Sequence, residues 1–259
     1  MINRLFAAIA LLSAGVALSA QQPKSLIAVA SFKVSPGKES AFVGKGKAFE
    51  PLLDKLIGSG VVLAYGMNVD MLHVPGKNNV EFWVEVPDYA ALGKEEKALE
   101  EFEKANPALM GDLRTMSDLA MHHDLIIGVR ESNFASVPAG STPVDDFDVV
   151  RVKPGRGHEF RELFHKYDKP VLDKLVADGV IYGWELDTEA VHTMEPGLVW
   201  VLVIMPDLGA KDKVTAAFGA AYKSLPESEQ NSFDKQYQEL IVPGSHRDEL
   251  AISLVFKTK

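Results

Sequence analysis

The chain contains no cysteine. Disulfides, thiol nucleophiles and a lipid anchor on an N-terminal cysteine are therefore excluded, and stability has to come from packing. Positive charge is also short: 27 Lys and Arg stand against 36 Asp and Glu, giving a formal net charge of −9. No basic stripe interrupts this acidity. Such a surface repels phosphate backbones, so nucleic acid is not an expected partner. Apart from the N-terminus, no apolar run is long enough to span a bilayer. No Gly-rich phosphate loop is present, since Gly44-Lys45-Gly46-Lys47 falls within a helical stretch and lacks the required spacing. No Ser-His-Asp array can be read from spacing.

The N-terminus reads as an export signal over residues 1–20. Arg4 supplies its positive start, Leu5 to Leu12 its apolar run, and Ala17, Ser19 and Ala20 its small-residue cleavage region. The run is short for a membrane span, and a periplasmic or secreted location is expected, with no membrane contact after cleavage. Loss of the single Arg4 charge takes the mature chain from −9 to −10.

What the chain does contain is itself, twice. Pro51-Leu52-Leu53-Asp54-Lys55-Leu56 matches Pro170-Val171-Leu172-Asp173-Lys174-Leu175, an offset of 170 − 51 = 119. The same offset pairs Gly60-Val61-Val62 with Gly179-Val180-Ile181, Tyr65 with Trp184, His73 with His192, and Pro87-Asp88 with Pro206-Asp207. Upstream the offset is 152 − 34 = 118, where Val34-Ser35-Pro36-Gly37-Lys38 matches Val152-Lys153-Pro154-Gly155-Arg156. One residue has been gained inside the first helix of the second copy. Pro138, Gly140, Ser141, Thr142 and Pro143 mark a linker. The chain thus divides into a first repeat over 25–134, a linker over 135–145 and a second repeat over 146–259.

Each copy predicts a strand, a Pro-Gly turn, a helix stopped by Gly60 or Gly179, two strands, helical stretches and a closing strand. The last helix is expected over Pro107 to Ala120 and Glu227 to Leu240, and the last strand over Leu125 to Val129 and Leu250 to Phe256. The order βαββαβ is the split βαβ, or ferredoxin-like, motif in the α+β class.

A strand ending in Val-x-Pro-Gly-Lys/Arg, with Phe42 or Phe160 five positions after the glycine, resembles the dimeric α+β barrel superfamily. That group includes antibiotic-biosynthesis-type monooxygenases, NIPSNAP-like proteins and EthD-like proteins. The resemblance covers nearly all of each copy. It implies two ferredoxin-like units packed sheet to sheet, here within one polypeptide, so a monomer is preferred. It does not carry haem chemistry: haem-degrading members place an Asn on the first strand, which is missing here, and Trp83 and His122 match only loosely. No residue carries over as a proximal haem ligand, and no cofactor is expected.

Period-two reading of the second strand puts Tyr65 with His73 on an apolar face, and Tyr182 and Trp184 with His192. That face suggests a pocket between sheet and helices for a small apolar or aromatic molecule, with His192 or His73 as acid–base residue. The opposite face carries Asn68 and Asp70, or Glu185, Asp187 and Glu189. His122 and His246 precede the last strands, each with an Asp two positions on that can orient the ring. These two, with Tyr65, Tyr182 and Trp184, are the candidate ligand contacts. His158, Glu162 and His165 share a helix face but do not recur, and a solvated surface is the expectation, with no metal site. Lys33 and Arg151 are expected to pair with Glu81, Glu85 and Glu185 across the barrel, and Trp83 and Trp200 to pack there. Three functions remain open: binding of a small organic ligand, cofactor-independent oxygenase chemistry, and a structural or interaction module.

Overall fold

A computed structural model describes residues 22–258, apart from 73, 75 and 192–195. The export segment expected at 1–20 lies outside these residues, as do His73 and His192. Among the described residues, no helix is long and apolar enough to cross a membrane.

The first copy contributes strands β1 (Ser25–Val34), β2 (Ala64–Asp70), β3 (Val80–Val86) and β4 (Ser117–Phe134), and helices α1 (Glu39–Gly46), α2 (Glu50–Gly58), α3 (Tyr89–Ala105) and α4 (Pro107–Met116). The second contributes β5 (Val144–Arg151), β6 (Gly183–Glu189), β7 (Leu198–Met205) and β8 (Arg247–Thr258), with α5 (Gly157–Ala177), α6 (Gly209–Ser224) and α7 (Glu227–Leu240). Gly60 and Gly179 lie beyond the ends of α2 and α5 with φ of 75° and 69°, the left-handed stop expected of them.

The inserted residue has a structural counterpart. In copy two α5 is continuous through Pro170. In copy one the equivalent helix is broken by a 3₁₀ turn at Lys47–Phe49, between α1 and α2. Three residues of 3₁₀ helix rise about 6 Å, as do four of α-helix. The shorter copy therefore reaches the same length with one residue fewer.

The eight strands close into one antiparallel barrel in the order β1-β3-β2-β8-β5-β7-β6-β4, with β4 returning to β1. The fourth strand of each unit joins the two. β4 pairs with β1 of its own unit over its first part and with β6 of the other unit from Ile127 to Phe134. β8 pairs with β5 from Arg247 and with β2 as far as Thr258. Closure leaves no unpaired strand edge among the described residues.

Two expected boundaries move. The helix expected as far as Ala120 ends at Met116, and Ser117 already belongs to β4. The segment Ser117–His123 pairs with Val34, Lys33 and Ser31 of β1 across a bulge, so a long-range ladder overrides the local pattern. β5 begins at Val144, two residues ahead of the expected repeat boundary.

Outward-facing strand residues meet the helices in two separate cores. The first holds Val34, Phe42, Leu53, Tyr65 and Val84; the second holds Val152, Phe164, Leu172, Trp184 and Val203. The repeated Pro-x-Leu-Asp-Lys-Leu motif acquires its meaning here. Tyr65 Oη donates to Asp54 Oδ1 at 2.6 Å, and Trp184 Nε1 donates to Asp173 Oδ1 at 3.0 Å. In both copies the motif's Asp accepts from the aromatic residue of the following strand. Lys257 from β8 also contacts Asp54, at 3.0 Å, which ties the end of the chain to the first copy.

Candidate functional site

The inward faces of the strands enclose a cavity of about 540 Å³. Its walls come from both copies. β3 turns Glu81, Trp83 and Glu85 inward while Phe82 and Val84 face the first core. β5 turns Asp145 and Phe147 inward, β6 turns Glu185 and Asp187, and β7 turns Trp200, Leu202 and Ile204. Ile27 and Val29 of β1 and Leu125 and Ile127 of β4 supply apolar wall. Phe134 to Val137 also line it, so the linker is part of the cavity and not a bare tether.

Gly66 on β2 is needed for the position of Trp83, its partner in the ladder. A Cβ at Gly66 would fall 2.5 Å from the indole ring. The ring instead crosses the bare backbone, meets Phe256 edge-on at 5.6 Å between centroids, and donates from Nε1 to Asn68 Oδ1 at 3.2 Å.

Six carboxyl residues line this space, of which Glu249 is paired with Arg247 and Lys77, while Glu81, Glu85, Asp145, Glu185 and Asp187 have little to neutralise them. Asp145, Asp187 and Glu185 are 2%, 3% and 5% exposed. Burial pushes Asp145 up to about 7. Burial, with the neighbouring acids Asp70 and Glu249, pushes Glu81 up to about 7. Burial also raises Glu85, against a hydrogen bond from Ser25. Glu185 is raised well above its ordinary value by burial and by Asp187 and Glu85, and Asp187 by burial and Glu85. In each case removal from water disfavours the charged form, and for Glu81, Glu185 and Asp187 like charges add to the effect.

Ser253 Oγ stands within donating distance of two oxygens, Asn68 Oδ1 at 2.9 Å and Asp145 Oδ2 at 2.7 Å, and Asn68 Oδ1 also accepts from Trp83. Asp145 Oδ1 and Asp187 Oδ1 have no hydrogen-bond partner among the described residues. An unmet buried acceptor costs about 1–3 kcal/mol.

This site differs from the one expected. Tyr65 and Trp184 are 0% and 1% exposed and packed beneath the helices, so the proposed pocket on that face is filled by core. Tyr182 is half-buried just before β6; its carbonyl accepts from Ala135 N–H, holding the linker. Neither these residues nor His122 and His246 line the cavity. His122 stacks on Phe32 and places Nε2 3.3 Å from Asp124, the residue expected to orient it, while Nδ1 meets the Ser31 carbonyl at 3.0 Å. His246 lies 3.7 Å from Asp248 and nearer, at 3.0 Å, to Asp148. His73 and His192 lie outside the described residues. Of the inward glutamates expected to pair with Lys33 and Arg151, Glu81 and Glu85 accept hydrogen bonds from Ser31 and Ser25. Trp83 and Trp200 pack inside the barrel as expected, Trp83 against Phe256 and Trp200 against Val149, Leu198 and Phe147, and both also line the cavity. His158, Glu162 and His165 are exposed on α5, and His165 pairs with Glu131.

Glu185 and Asp187 were visible as the polar face of the second strand, and Glu81 and Glu85 as charged residues of the same sheet face, whereas Asp145 falls at the end of the expected linker. The missing signal was which face closes on itself, because that depends on pairing between strands far apart in sequence.

No protein-family profile matches the sequence, and no curated protein matches it significantly. Solved structures do match in fold. A protein of Fusobacterium nucleatum provisionally described as a monooxygenase superposes with a TM-score of 0.60 at 14% identity, covering 92% of this chain and 95% of its own. A second such protein, from Lactobacillus acidophilus, gives 0.61 at 11% identity, with coverage of 91% and 96%. A heme-binding protein of Thermus thermophilus gives 0.53 at 10% identity, with coverage of 89% and 91%. The chain has the dimeric α+β barrel fold, with both ferredoxin-like units supplied by one polypeptide.

Proposed function

We propose that the chain binds a small organic molecule inside the barrel lumen. The observation that carries this reading is the cavity itself. It has the size of an organic-ligand site, apolar and aromatic walls, and a few convergent polar groups. Two of those groups, Asp145 Oδ1 and Asp187 Oδ1, are buried acceptors with bonding capacity unused. A barrel filled for stability alone would present side chains there instead.

A screen of aromatic fragments by native mass spectrometry tests the reading. At least one fragment class is expected to bind with one-to-one stoichiometry, and Ile27→Trp, which adds bulk from β1 into the lumen, should abolish it without lowering the melting temperature. Failure of every fragment, or retention of binding in Ile27→Trp, would remove the lumen as the site.

A second reading, cofactor-independent oxygenase chemistry, is favoured by one observation. Asp145 and Glu81 stand near pH 7, where a carboxyl can both give and take a proton. In that reading the acid–base group comes from the lumen carboxyls rather than from His192 or His73. Oxygen uptake with quinol substrates should then be lost in Asp145→Asn. Absence of uptake by the parent protein would dispose of this reading.

A further inference from the structure

We infer that the lumen ligand is an organic ammonium ion, an amine carrying an aromatic or apolar body. This rests on the lumen being the binding site and goes beyond it by naming the ligand's charge.

Three features lead there. First, the cavity's charged groups are of one sign: Glu81, Glu85, Asp145, Glu185 and Asp187 face it, and no Lys, Arg or His lines it among the described residues. Lys24 and Arg130 influence Glu185 and Asp187 from outside the wall. Second, Asp145 Oδ1 and Asp187 Oδ1 are buried and unpartnered. An N–H donor would satisfy either of them, and an ammonium brings three donors and a positive charge. Third, the indoles of Trp83 and Trp200 border the same space. A cation against an indole face is attracted by the ring quadrupole, most strongly where water is excluded.

A bare metal ion does not fit this arrangement. Among the described residues, the one group whose three ligand atoms lie within 4.8 Å of one another is Asp148, His246 and Asp248, on the outer surface. The lumen carboxyls do not converge in that way. They are spread over β3, β5 and β6, which suits a cation with a body that extends between them.

Binding also has a proton signature. An ammonium stabilises the ionised carboxylates, so lumen acids that hold protons before binding release them on it. Glu81, Glu85, Asp145, Glu185 and Asp187 face the ligand, Glu249 also lines the cavity but is already paired with Arg247 and Lys77, and Asn68, held by Ser253, completes the polar wall.

The test uses a matched pair, 1-naphthylmethylamine and 1-naphthalenemethanol, titrated calorimetrically into the intact protein at pH 7.5 in two buffers of different ionisation enthalpy. The amine is expected to bind at least tenfold more tightly than the alcohol, with a buffer-dependent heat that reports proton release. Its affinity should rise between pH 5.5 and 8. Asp187→Asn and Asp145→Asn, which keep the side-chain shape, should each weaken the amine about tenfold and leave the alcohol unchanged; Ile27→Trp should abolish both. Equal or tighter binding of the alcohol overturns the ammonium inference while leaving the lumen reading intact. Amine binding that survives Ile27→Trp places the amine on the acidic exterior and also overturns it. If neither compound binds, both readings fall. The pH series on the parent protein requires no variant, so a poorly folding substitution leaves the test decisive.

Discussion

The protein is expected to unfold more readily at pH 8 than at pH 5, with a melting temperature lower by about 10 °C. Burial raises Glu81 from 4.5 to about 7 and Asp145 from 3.8 to about 7. Between those values the folded state holds protons that the unfolded chain has released. Stability then falls as pH rises, since its slope follows the protons bound by the unfolded state minus those bound by the folded state. The contribution is fully present below the unfolded value and is lost once the folded value is passed. Glu81 alone accounts for about 3 kcal/mol on this basis. For a chain of this size that corresponds to roughly 10 °C. Glu185 and Asp187 act in the same direction, but they titrate together and do not add simply. The carboxylates held low by ion pairs, such as Asp173 with Lys169, are surface groups whose loss matters only in stronger acid. Scanning calorimetry at pH 5 and pH 8 measures the difference. Asp187→Asn should recover part of it at pH 8 and change little at pH 5. A melting temperature that is flat, or that rises with pH, would mean the lumen acids are ionised without cost.

Trp184→Ala should cost about 4 kcal/mol, the usual penalty for removing a large aromatic side chain from a packed core. The ring is 1% exposed, meets Phe164 edge-on at 5.5 Å, and donates to Asp173. Its removal leaves a void in the second core and takes one of the two donors from Asp173 Oδ1, which keeps Asn133. Trp200→Ala provides the contrast. That ring is 7% exposed and packs with Val149, Leu198 and Phe147, but it also lines the cavity, so its loss should cost stability too and, unlike that of Trp184, most of the ligand affinity. Urea unfolding and fragment binding, measured on both variants, separate the roles. If Trp184→Ala unfolded like the parent but lost the ligand, the aromatic residue of the second strand would belong to the site after all.

The two tryptophans show what could be read from the chain and what could not. The duplication, the order of elements and the two faces of the second strand all follow from residues close together in sequence. The recurrence of Tyr65 with Trp184 was visible, and so was the Asp of the motif before each. Their meaning depends on a helix folding back over its strand, which turns a recurrent aromatic into core. The lumen acids were harder to weigh because they do not recur. By the offsets of 118 and 119, Asp145 falls on Ile27, Glu185 on Gly66, Asp187 on Asn68 and Glu81 on Trp200. Comparing the copies favours whatever both retain. In this chain that selects framework and passes over the residues in which the copies differ.

Those differences give the lumen a direction. Two identical halves would repeat every wall residue across the axis between them, and an unsymmetrical guest would have two equivalent ways to lie. Here one half offers glutamates from its third strand, and the other offers acids from its first and second. Trp83 lies over a glycine, while the corresponding position opposite holds Glu185. Joining the halves in one chain allowed each wall to change alone. The result is a chamber with a head and a tail, in which a bound molecule would have a single preferred orientation.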